Sequence, residues 1–306
     1  MSTPRHTIER LRAVRSALAR RLGTMASRSR ALERLYLLVA RPVSIVPYMT
    51  GLIVEANYRL SACLRAVGQS YRVVTVAGVP LYVDVSDATG FGPYFSRQPY
   101  EPELAAYIAR RLREGDVFID IGANVGLFSM LAARCVGPSG RVVAFEPNPE
   151  ARSILAALAT MNRVAETIDI VPLAVSDSSS KGHILYIADA SSLSTLDPAR
   201  SPVRDVDAFQ KSVVVDLTTL DDWLAIHPEL SARVTTIKID VEGVEDRVLS
   251  GMQRILRANP RIEIVVETTA GSGTDRRLQA DGYTVAALDE YATGYGNFVY
   301  RHGQTG

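Results

Sequence analysis

The sequence has few cysteines and histidines, and both shortages exclude whole classes of site. Cys63 and Cys135 are the two cysteines among 306 residues. They are too few and too far apart in sequence for a disulfide framework or a zinc knuckle. Reduced, buried thiols of a cytosolic protein are expected instead. The four histidines show no metal-ligand spacing with the acidic residues, and no G-x-S-x-G motif supports a Ser-His-Asp hydrolase.

Excess charge and long apolar runs are also lacking. The formal net charge is +1, which gives no general argument for binding nucleic acid. A membrane-spanning helix needs roughly 20 apolar residues, and the apolar stretch 35–54 is interrupted by Arg41, Pro42 and Pro47. No signal peptide is predicted. With 47% hydrophobic and 22% charged residues, the composition is typical of a globular protein with one or two cores.

Residues 1–66 differ from the rest and are interpreted as a basic, helical N-terminal extension. Apolar residues recur there at helical spacing, with arginines on most of the other face: Ile8, Leu11, Val14, Leu18, Leu22 and Met25. The pattern favours helices that pack on the following domain, or a basic amphipathic segment that rests on an anionic membrane. A transit peptide is a third interpretation, which requires a eukaryotic source.

An α/β domain is predicted for residues 67–306. It begins with a β-hairpin over 71–85 and a helix over 103–113, after which strands and helices alternate as in a parallel sheet with helices on both faces. Strands are expected near 117–121, 141–146, 168–172, 234–240 and 262–267. Helices are expected near 126–136, 149–161, 218–226, 244–258 and 274–281. Two short antiparallel strands near 283–288 and 295–301 bring the count to seven strands.

The stretch 176–216 does not fit this alternation. It is rich in serine and aspartate, and it contains a strand-like segment that starts at His183 and a serine-rich loop over 191–195. We interpret it as an insertion over the edge of the sheet that carries the active site.

Two acid-ended strands predict a cofactor site. The apolar run from Val117 ends in Asp120, turns through Gly122 and Gly126 and opens a helix, and the next strand ends in Glu146. Such glycines let the backbone approach a nucleotide-type ligand, and an acid at the tip of the following strand accepts hydrogen bonds from the two ribose hydroxyls.

Asn124 decides which cofactor is expected. A dinucleotide fingerprint has a third glycine there, and Asp120 would repel a pyrophosphate. A cationic ligand without phosphates fits better, and S-adenosylmethionine (SAM) is predicted. Asp120 would balance its amino and sulfonium end, Asn148 would assist Glu146, and Asp177 would lie near the adenine. Caps and turns are the simpler interpretation of these acids.

A second cluster predicts the catalytic groups. Lys238, Asp240 and Glu242 alternate along an apolar strand and are expected to share one face if the strand continues that far. Asp240 or Glu242 could accept the proton of an attacking hydroxyl, with Glu267 and His183 as further candidates. The alternative is a lysine–carboxylate pair beside a helix N-terminal acid. Asp240, Glu242 and Glu267 could also form a divalent oxygen site, but no metal is predicted.

Several ordered motifs resemble the FkbM family of SAM-dependent methyltransferases. The resemblance covers roughly residues 71–302, and its motifs are Tyr100–Glu103, Asp120–Gly126, Phe145–Asn148, Ala174–Asp177 and Lys238–Glu245. It implies a class I, Rossmann-like methyltransferase fold and methylation of hydroxyls on sugars, glycolipids or polyketide-type natural products. By position it assigns Asp120, Gly122, Asn124 and Glu146 to cofactor binding. Lys238, Asp240, Glu242 and Glu245 match its signature, without identifying which of them is catalytic.

The expected protein is a SAM-dependent O-methyltransferase whose acceptor is a small molecule, glycan or glycolipid. N-methylation of RNA or protein is an alternative, although no basic, aromatic face suggests a nucleic-acid partner. A catalytically inactive scaffold at a membrane surface is another. The expected location is cytoplasmic, with membrane contact at the inner face through residues 1–66 as a further hypothesis. Acceptor specificity is expected in residues 1–66, the loop 94–103 and the insertion 176–216.

Overall fold

The computed structural model describes residues 4–43, 47–96, 100–187, 194–200, 209, 211–289 and 294–302. The chain divides into two compact units, Met1–Tyr100 and Glu101–Gly306. The β-hairpin that the sequence assigned to the second domain lies in the first unit. The predicted domain boundary between residues 66 and 67 stays a prediction.

The first unit contains helices and one β-hairpin. Its elements are α1 (Pro4–Ala26), α2 (Arg30–Val43), α3 (Pro47–Ala66), β1 (Tyr71–Val76), β2 (Val79–Asp84) and α4 (Ala88–Phe91), followed by a π-helical turn, Gly92–Ser96. The hairpin is antiparallel and turns at Ala77 and Gly78, as predicted. None of the helices in the described part of the chain combines the length and apolar character needed to cross a membrane.

Helix α1 packs against α3 through small residues. Its buried residues include Ala19, Gly23 and Ala26, and a Cβ on Gly23 would lie 2.6 Å from the carbonyl oxygen of Ala56 in α3. Small side chains thus allow the two helices to approach closely. Exposed apolar residues of the predicted stripe include Val14, Leu18 and Met25, whereas Leu22 is half-buried, so these three residues of the stripe are turned to solvent.

A buried ion pair joins α2 to the hairpin. The Arg72 guanidinium donates from Nε and Nη2 to the two carboxylate oxygens of Glu33, at 2.7 and 2.6 Å, and the Tyr94 hydroxyl donates to the same carboxylate. Glu33 and Arg72 are only 2% and 4% exposed. Removing one partner of such a pair leaves the other charge buried without compensation.

We therefore expect Glu33→Ala to lower the free energy of unfolding of the first unit by about 3–5 kcal/mol, measured by urea denaturation. The matched control is Glu55→Ala, which removes the partner of Arg15 in a partly exposed pair of 3.7 Å. Pairs of that kind contribute about 0–1 kcal/mol. Equal effects of the two substitutions would contradict the importance of the buried pair.

The second unit alternates strands and helices. Its strands are β3 (Val117–Ile121), β4 (Arg141–Phe145), β5 (Ile168–Val171), β6 (Leu173–Val175), β7 (Ser180–Ile187), β8 (Ser194–Thr195), β9 (Lys211–Thr218), β10 (Val234–Ile239), β11 (Glu263–Thr269), β12 (Tyr283–Ala287) and β13 (Tyr295–His302). Its helices are α5 (Pro102–Arg111), α6 (Leu127–Val136), α7 (Pro149–Met161), α8 (Leu220–Ala225), α9 (Pro228–Ser231), α10 (Glu245–Ser250), α11 (Gln253–Ala258) and α12 (Gly273–Ala280).

Seven strands form one sheet in the order β12-β13-β11-β10-β3-β4-β5. The pairs from β11 to β5 are parallel, whereas β13 is antiparallel to both β11 and β12. Strand β3 is buried at all five residues, as expected where both faces of a parallel sheet are covered. The predicted class I, Rossmann-like α/β fold is thereby confirmed.

One element differs from the expectation. The helix predicted over 244–258 is two helices, α10 and α11, separated at Gly251, a residue type with low helix propensity. The two closing strands pair antiparallel, as predicted, and because β13 is also antiparallel to β11, β12 runs in the same direction as β11. The reversed strand β13 therefore lies between β11 and β12, which run in the same direction.

The irregular stretch 176–216 contributes to a second sheet. Its order is β6-β9-β7-β8, with β7 antiparallel to β9. Part of the predicted serine-rich loop, 191–193, lies outside the described residues, as do 97–99 of the loop 94–103. At the end of that serine-rich loop, the Thr195 hydroxyl donates to the carbonyl oxygen of Glu242 at 2.8 Å. The insertion thus contacts the segment after β10, as the sequence suggested.

Candidate active site

The parallel strands bring the predicted acids to one edge of the sheet. Asp120 is the fourth residue of β3, Glu146 follows β4, and Asp240 follows β10. The register pairs Asp120 with Lys238 across β3 and β10. Because the carboxyl ends of parallel strands share an edge, residues far apart in sequence form one polar region.

Glu146 is held by the backbone of two neighbouring segments. Its Oε1 accepts a hydrogen bond from the Asn148 N–H and its Oε2 accepts one from the Asn124 N–H, both at 2.7 Å. Asn124 has a left-handed φ of 51°, which few non-glycine residues other than asparagine and aspartate adopt readily. Each carboxylate oxygen keeps a second lone pair, so the buried carboxylate is oriented and can still accept from a ligand.

Burial raises the pKa of Glu146 to about 7, although the two backbone hydrogen bonds and the nearby Arg152 act in the opposite direction. A protonated carboxyl cannot accept hydrogen bonds through all of its lone pairs. The charge state of this group therefore changes within the neutral range.

The two glycines of the loop after β3 allow other segments of the protein to approach it closely. Both have positive φ, 78° for Gly122 and 83° for Gly126, as the predicted turn requires. A Cβ on Gly122 would lie 1.8 Å from the carbonyl oxygen of Asp240, and one on Gly126 would lie 2.6 Å from Leu155 Cγ. Because both glycines lack a Cβ, the loop can lie directly against the segment after β10 and against α7. A role of the glycines in cofactor binding stays a prediction.

Asp120 and Lys238 form a buried pair. The Lys238 ammonium lies 3.4 Å from Asp120 Oδ1 and 3.1 Å from Asp240 Oδ2, and Ser129 donates to Asp120 Oδ2 at 2.6 Å. Burial opposes the charge of Lys238, but Asp240, Asp120 and Glu101 outweigh it, so the lysine pKa is raised. The lysine–carboxylate pair considered from the sequence is present. Direct contact of Asp120 with a cofactor stays a prediction.

Two asparagines offer polar atoms that the described residues leave unsatisfied. The Asn148 Oδ1 caps α7 by accepting from the Glu150 N–H, whereas its Nδ2 and the Asn124 Oδ1 are buried without a hydrogen-bond partner in the described structure. Buried polar groups are normally satisfied, so both atoms are available to a polar ligand. Asp177 is exposed and accepts from the adjacent serine hydroxyls, and its adenine role stays a prediction.

Three carboxylates meet beside Lys238. One oxygen from each of Asp240, Glu242 and Glu267 lies within 4.8 Å of the others. Glu242 is 8% exposed and takes a left-handed φ of 54°. Burial, then Asp240 and Glu245, raise its pKa to about 8. Burial and the charge of Asp240 also raise the pKa of Glu267. The sequence correctly identified three groups that the fold brings together.

Two neighbours of this cluster were not assigned a role from the sequence. Tyr295 hydrogen-bonds to Glu267, and burial together with Glu267 raises the pKa of this tyrosine. Because β13 is antiparallel, its first residues lie at the edge where the parallel strands end. The predicted antiparallel direction of this strand was the sequence signal that could have placed Tyr295 near the carboxylates. Glu101, which precedes α5, accepts from Asn297 Nδ2 at 3.3 Å and adds negative charge near the cluster.

The remaining candidates have structural partners. Glu245 at the start of α10 accepts from the Gly243 N–H at 2.8 Å and so supports the turn after Glu242. His183 Nε2 and the Ser180 hydroxyl are 2.8 Å apart at an exposed position in β7. Among the described residues, no hydrogen bond or ion pair joins His183 to the three clustered carboxylates.

Comparison with known proteins identifies the family. The profile of the Methyltransferase FkbM domain matches residues 120–293, more than half of the chain. The chain is 34% identical over 203 residues to the 31-O-demethyl-FK506 methyltransferase FkbM of Streptomyces tacrolimicus, covering 58% of this chain and 75% of that protein. It is 24% identical over 176 residues to the hexuronic acid methyltransferase AglP of Haloferax volcanii, covering 56% of this chain and 63% of that protein.

Among solved structures, methyltransferase FkbM of Methylobacillus flagellatus aligns with a TM-score of 0.42 and 14% identity. The alignment covers 86% of this chain and 57% of that protein's length. The profile match includes the loop after β3, Glu146 and the three clustered carboxylates, and the FkbM relative of Streptomyces supports the same assignment. The chain therefore belongs to the FkbM family of SAM-dependent methyltransferases.

Proposed function

We propose that the protein transfers the methyl group of SAM to a hydroxyl oxygen of a sugar, glycolipid or natural-product acceptor. The observation that carries this proposal is the cluster of Asp240, Glu242 and Glu267 at the same sheet edge as the Glu146 carboxylate. The relatives named for 31-O-demethyl-FK506 and for a hexuronic acid support oxygen acceptors.

The residues at this edge fit SAM. Glu146 is oriented to accept from two ribose hydroxyls, and the unsatisfied Asn124 Oδ1 and Asn148 Nδ2 supply an acceptor and a donor beside it. Asp120 and Asp177 are proposed to lie toward the methionine and adenine ends. When bound, SAM supplies a methyl group activated by its sulfonium. The negative charge of Asp120 favours a cationic ligand of this kind over a dinucleotide.

Asp240 and Glu242 are the proposed proton acceptors. The acceptor oxygen forms a bond to the methyl carbon, the carbon–sulfur bond breaks with its electrons on sulfur, and the hydroxyl proton passes to a carboxylate. Alignment of acceptor oxygen, carbon and sulfur would account for most of the acceleration. Lys238 positions Asp240 through their 3.1 Å contact.

The test uses SAM labelled with ¹³C in the methyl group. We would incubate the protein with a hexuronic acid glycoside, 31-O-demethyl-FK506, a simple glycolipid, RNA and peptides, and would locate the label by NMR. A methyl group on oxygen has a carbon shift distinct from one on nitrogen. O-methyl product from any hydroxyl acceptor supports the proposal. Label that appears only on nitrogen of RNA or peptide would establish the alternative activity, and SAM binding without transfer to any acceptor would favour the inactive scaffold.

The pKa of Glu146 makes cofactor affinity depend on pH. Only the ionised carboxylate accepts from both ribose hydroxyls, so SAM affinity should be nearly constant above pH 8. Below pH 7 it should fall by about tenfold per pH unit, until the affinity of the protonated form is reached. Calorimetric titrations between pH 5.5 and 8.5 would measure this. Constant affinity over the whole range would contradict the assignment of Glu146.

We also propose that the first unit contacts an anionic membrane surface, which would place the protein at the inner face of the cytoplasmic membrane. Leu35, Leu38 and Val39 lie at helical spacing on α2 and are exposed, Leu38 by 73%. Arg30 and Arg34 are exposed on the same helix. Apolar side chains that insert below headgroups, flanked by arginines that attract anionic lipid, are typical of interfacial helices.

Leu38→Asp should weaken binding to phosphatidylglycerol vesicles by about tenfold or more, because burying one leucine contributes about 1.5–3 kcal/mol. Co-sedimentation with those vesicles and with phosphatidylcholine vesicles measures the effect. Ile226→Asp is the matched control, since Ile226 in the second unit is also 73% exposed. If the unsubstituted protein does not sediment with anionic vesicles, the proposal of membrane contact is wrong.

A further inference from the structure

The three clustered carboxylates have the spacing of a single-ion site. The ligand oxygens of Asp240, Glu242 and Glu267 are all within 4.8 Å of one another. Calcium binds oxygen at about 2.3–2.6 Å and magnesium at about 2.0–2.1 Å, so two oxygens on opposite sides of one ion are about 4–5 Å apart. Small side-chain adjustments would bring all three oxygens onto one cation.

The acidic charges outnumber the basic ones among the described residues of this region. Lys238 lies against Asp120 and Asp240. Glu242 and Glu267 have no ion pair with a basic side chain among the described residues, and Glu101 adds a further negative charge that both of them sense. Carboxylates this close repel one another unless a cation or protons intervene.

A second observation points to a missing ligand. Glu242 is 92% buried and its Oε2 has no hydrogen-bond partner in the described part of the chain. Leaving a carboxylate oxygen buried and unsatisfied is costly. A carboxylate oxygen of the same side chain lies within 4.8 Å of an oxygen of both Asp240 and Glu267, so this side chain borders the space where a cation would lie.

We propose that Asp240, Glu242 and Glu267 bind one divalent cation with a preference for oxygen ligands, such as Mg²⁺, Mn²⁺ or Ca²⁺. The three side chains offer oxygen and neither nitrogen nor sulfur, which disfavours zinc and copper. Three protein oxygens leave coordination positions open, since these ions take six or more ligands.

The open positions suit the acceptor, and this part of the inference rests on the proposed function. A hydroxyl oxygen bound to the cation loses its proton more readily, and a neighbouring hydroxyl or carboxylate of a sugar-like acceptor could occupy a second position. Each carboxylate offers one oxygen to the cation, so its other oxygen can receive the proton as the oxygen–methyl bond forms. The site thus selects acceptors with two adjacent oxygen groups.

The test titrates Mn²⁺ into protein freed of metal with EDTA and then exchanged into chelator-free buffer, using calorimetry and the loss of the free Mn²⁺ electron paramagnetic resonance signal. We expect saturable binding of one ion, with a dissociation constant of roughly 10⁻⁵ to 10⁻³ M, and competition by Mg²⁺ and Ca²⁺. Glu242→Gln and Glu267→Gln should each weaken binding by about tenfold or more, because each removes a charged ligand. Glu229→Gln, an exposed acid of α9, is the matched control and should not change it.

Several results would overturn the proposal. One is the absence of saturable Mn²⁺ binding. Another is an Mn²⁺ affinity that is the same in the wild type and in both ligand variants. Should the variants fail to fold, anomalous scattering from Mn²⁺-soaked wild-type crystals decides, since a peak must lie among the three carboxylates. SAM titrated in the presence of EDTA separates the two proposals. SAM binding without Mn²⁺ binding removes the cation and leaves the methyltransferase, whereas Mn²⁺ binding without SAM binding supports the cation site and removes the proposed function.

Discussion

Glu146→Ala is expected to weaken SAM binding by about 10²- to 10⁴-fold. The ionised Glu146 carboxylate can accept from two ribose hydroxyls, and each hydrogen bond to a charged group contributes about 1.5–3 kcal/mol. Two such bonds give about 3–6 kcal/mol, which corresponds to that change in dissociation constant. Calorimetric titration at pH 8, where the wild-type carboxylate is ionised, measures the loss directly.

The controls for this substitution separate recognition from folding. Glu150→Ala removes an exposed acid four residues away, whose partner is Lys211 at 3.2 Å, and should leave SAM affinity unchanged. Glu146→Gln keeps the size of the side chain but cannot accept through both oxygens, so it should lie between the wild type and Glu146→Ala. A Glu146→Ala protein that unfolds at the wild-type urea concentration yet binds SAM within threefold of wild type would falsify the assignment.

The second large effect is expected at Asp240. Asp240→Asn should lower kcat by about 10²- to 10⁴-fold, the usual contribution of a positioned proton acceptor. It should change the dissociation constant of SAM by less than about threefold, because Lys238 keeps its contact with Asp120. Rapid-quench kinetics with a saturating acceptor and calorimetry with SAM measure the two quantities separately.

Asp169→Asn is the matched control for Asp240→Asn. Asp169 lies in β5, partly exposed and 3.5 Å from Arg141, so the same chemical change there should leave kcat unchanged. Normal turnover by Asp240→Asn with the true acceptor would move the proton acceptor to Glu242 or His183. A parallel loss of SAM binding would instead show that Asp240 supports the cofactor site.

The sequence predicted the features that depend on local pattern. Apolar runs ending in Asp120 and Glu146 required strands that deliver both acids to one edge, and the parallel sheet does so. Alternation along one strand suggested the lysine–carboxylate pair at Lys238, but β10 ends at Ile239, so Asp240 reaches Lys238 from the segment after the strand. For the acids at the sheet edge, the direction of the parallel strands was enough information.

Features that depend on tertiary contacts were not predicted. The stripe containing Val14 and Leu18 has helical spacing, but α1 packs through Ala19 and Gly23, because small residues permit close approach to α3. Periodicity reports the presence of an apolar face and cannot say what covers it. Tyr295 was missed because its approach to Glu267 depends on the reversed direction of β13. The second sheet was missed because the pairing of β6, β8 and β9 depends on tertiary contacts, which local sequence patterns do not report.

Calorimetric titration of the full chain with SAM, beside NAD as the control, tests the central claim most directly. The loop with Gly122 and Asn124 lacks the dinucleotide fingerprint. We propose that Glu146 accepts hydrogen bonds from the ribose hydroxyls and that the charge of Asp120 disfavours a pyrophosphate. The account therefore predicts micromolar binding of SAM and no measurable binding of NAD at pH 8. A folded protein that does not bind SAM, or that binds NAD equally well, would contradict it.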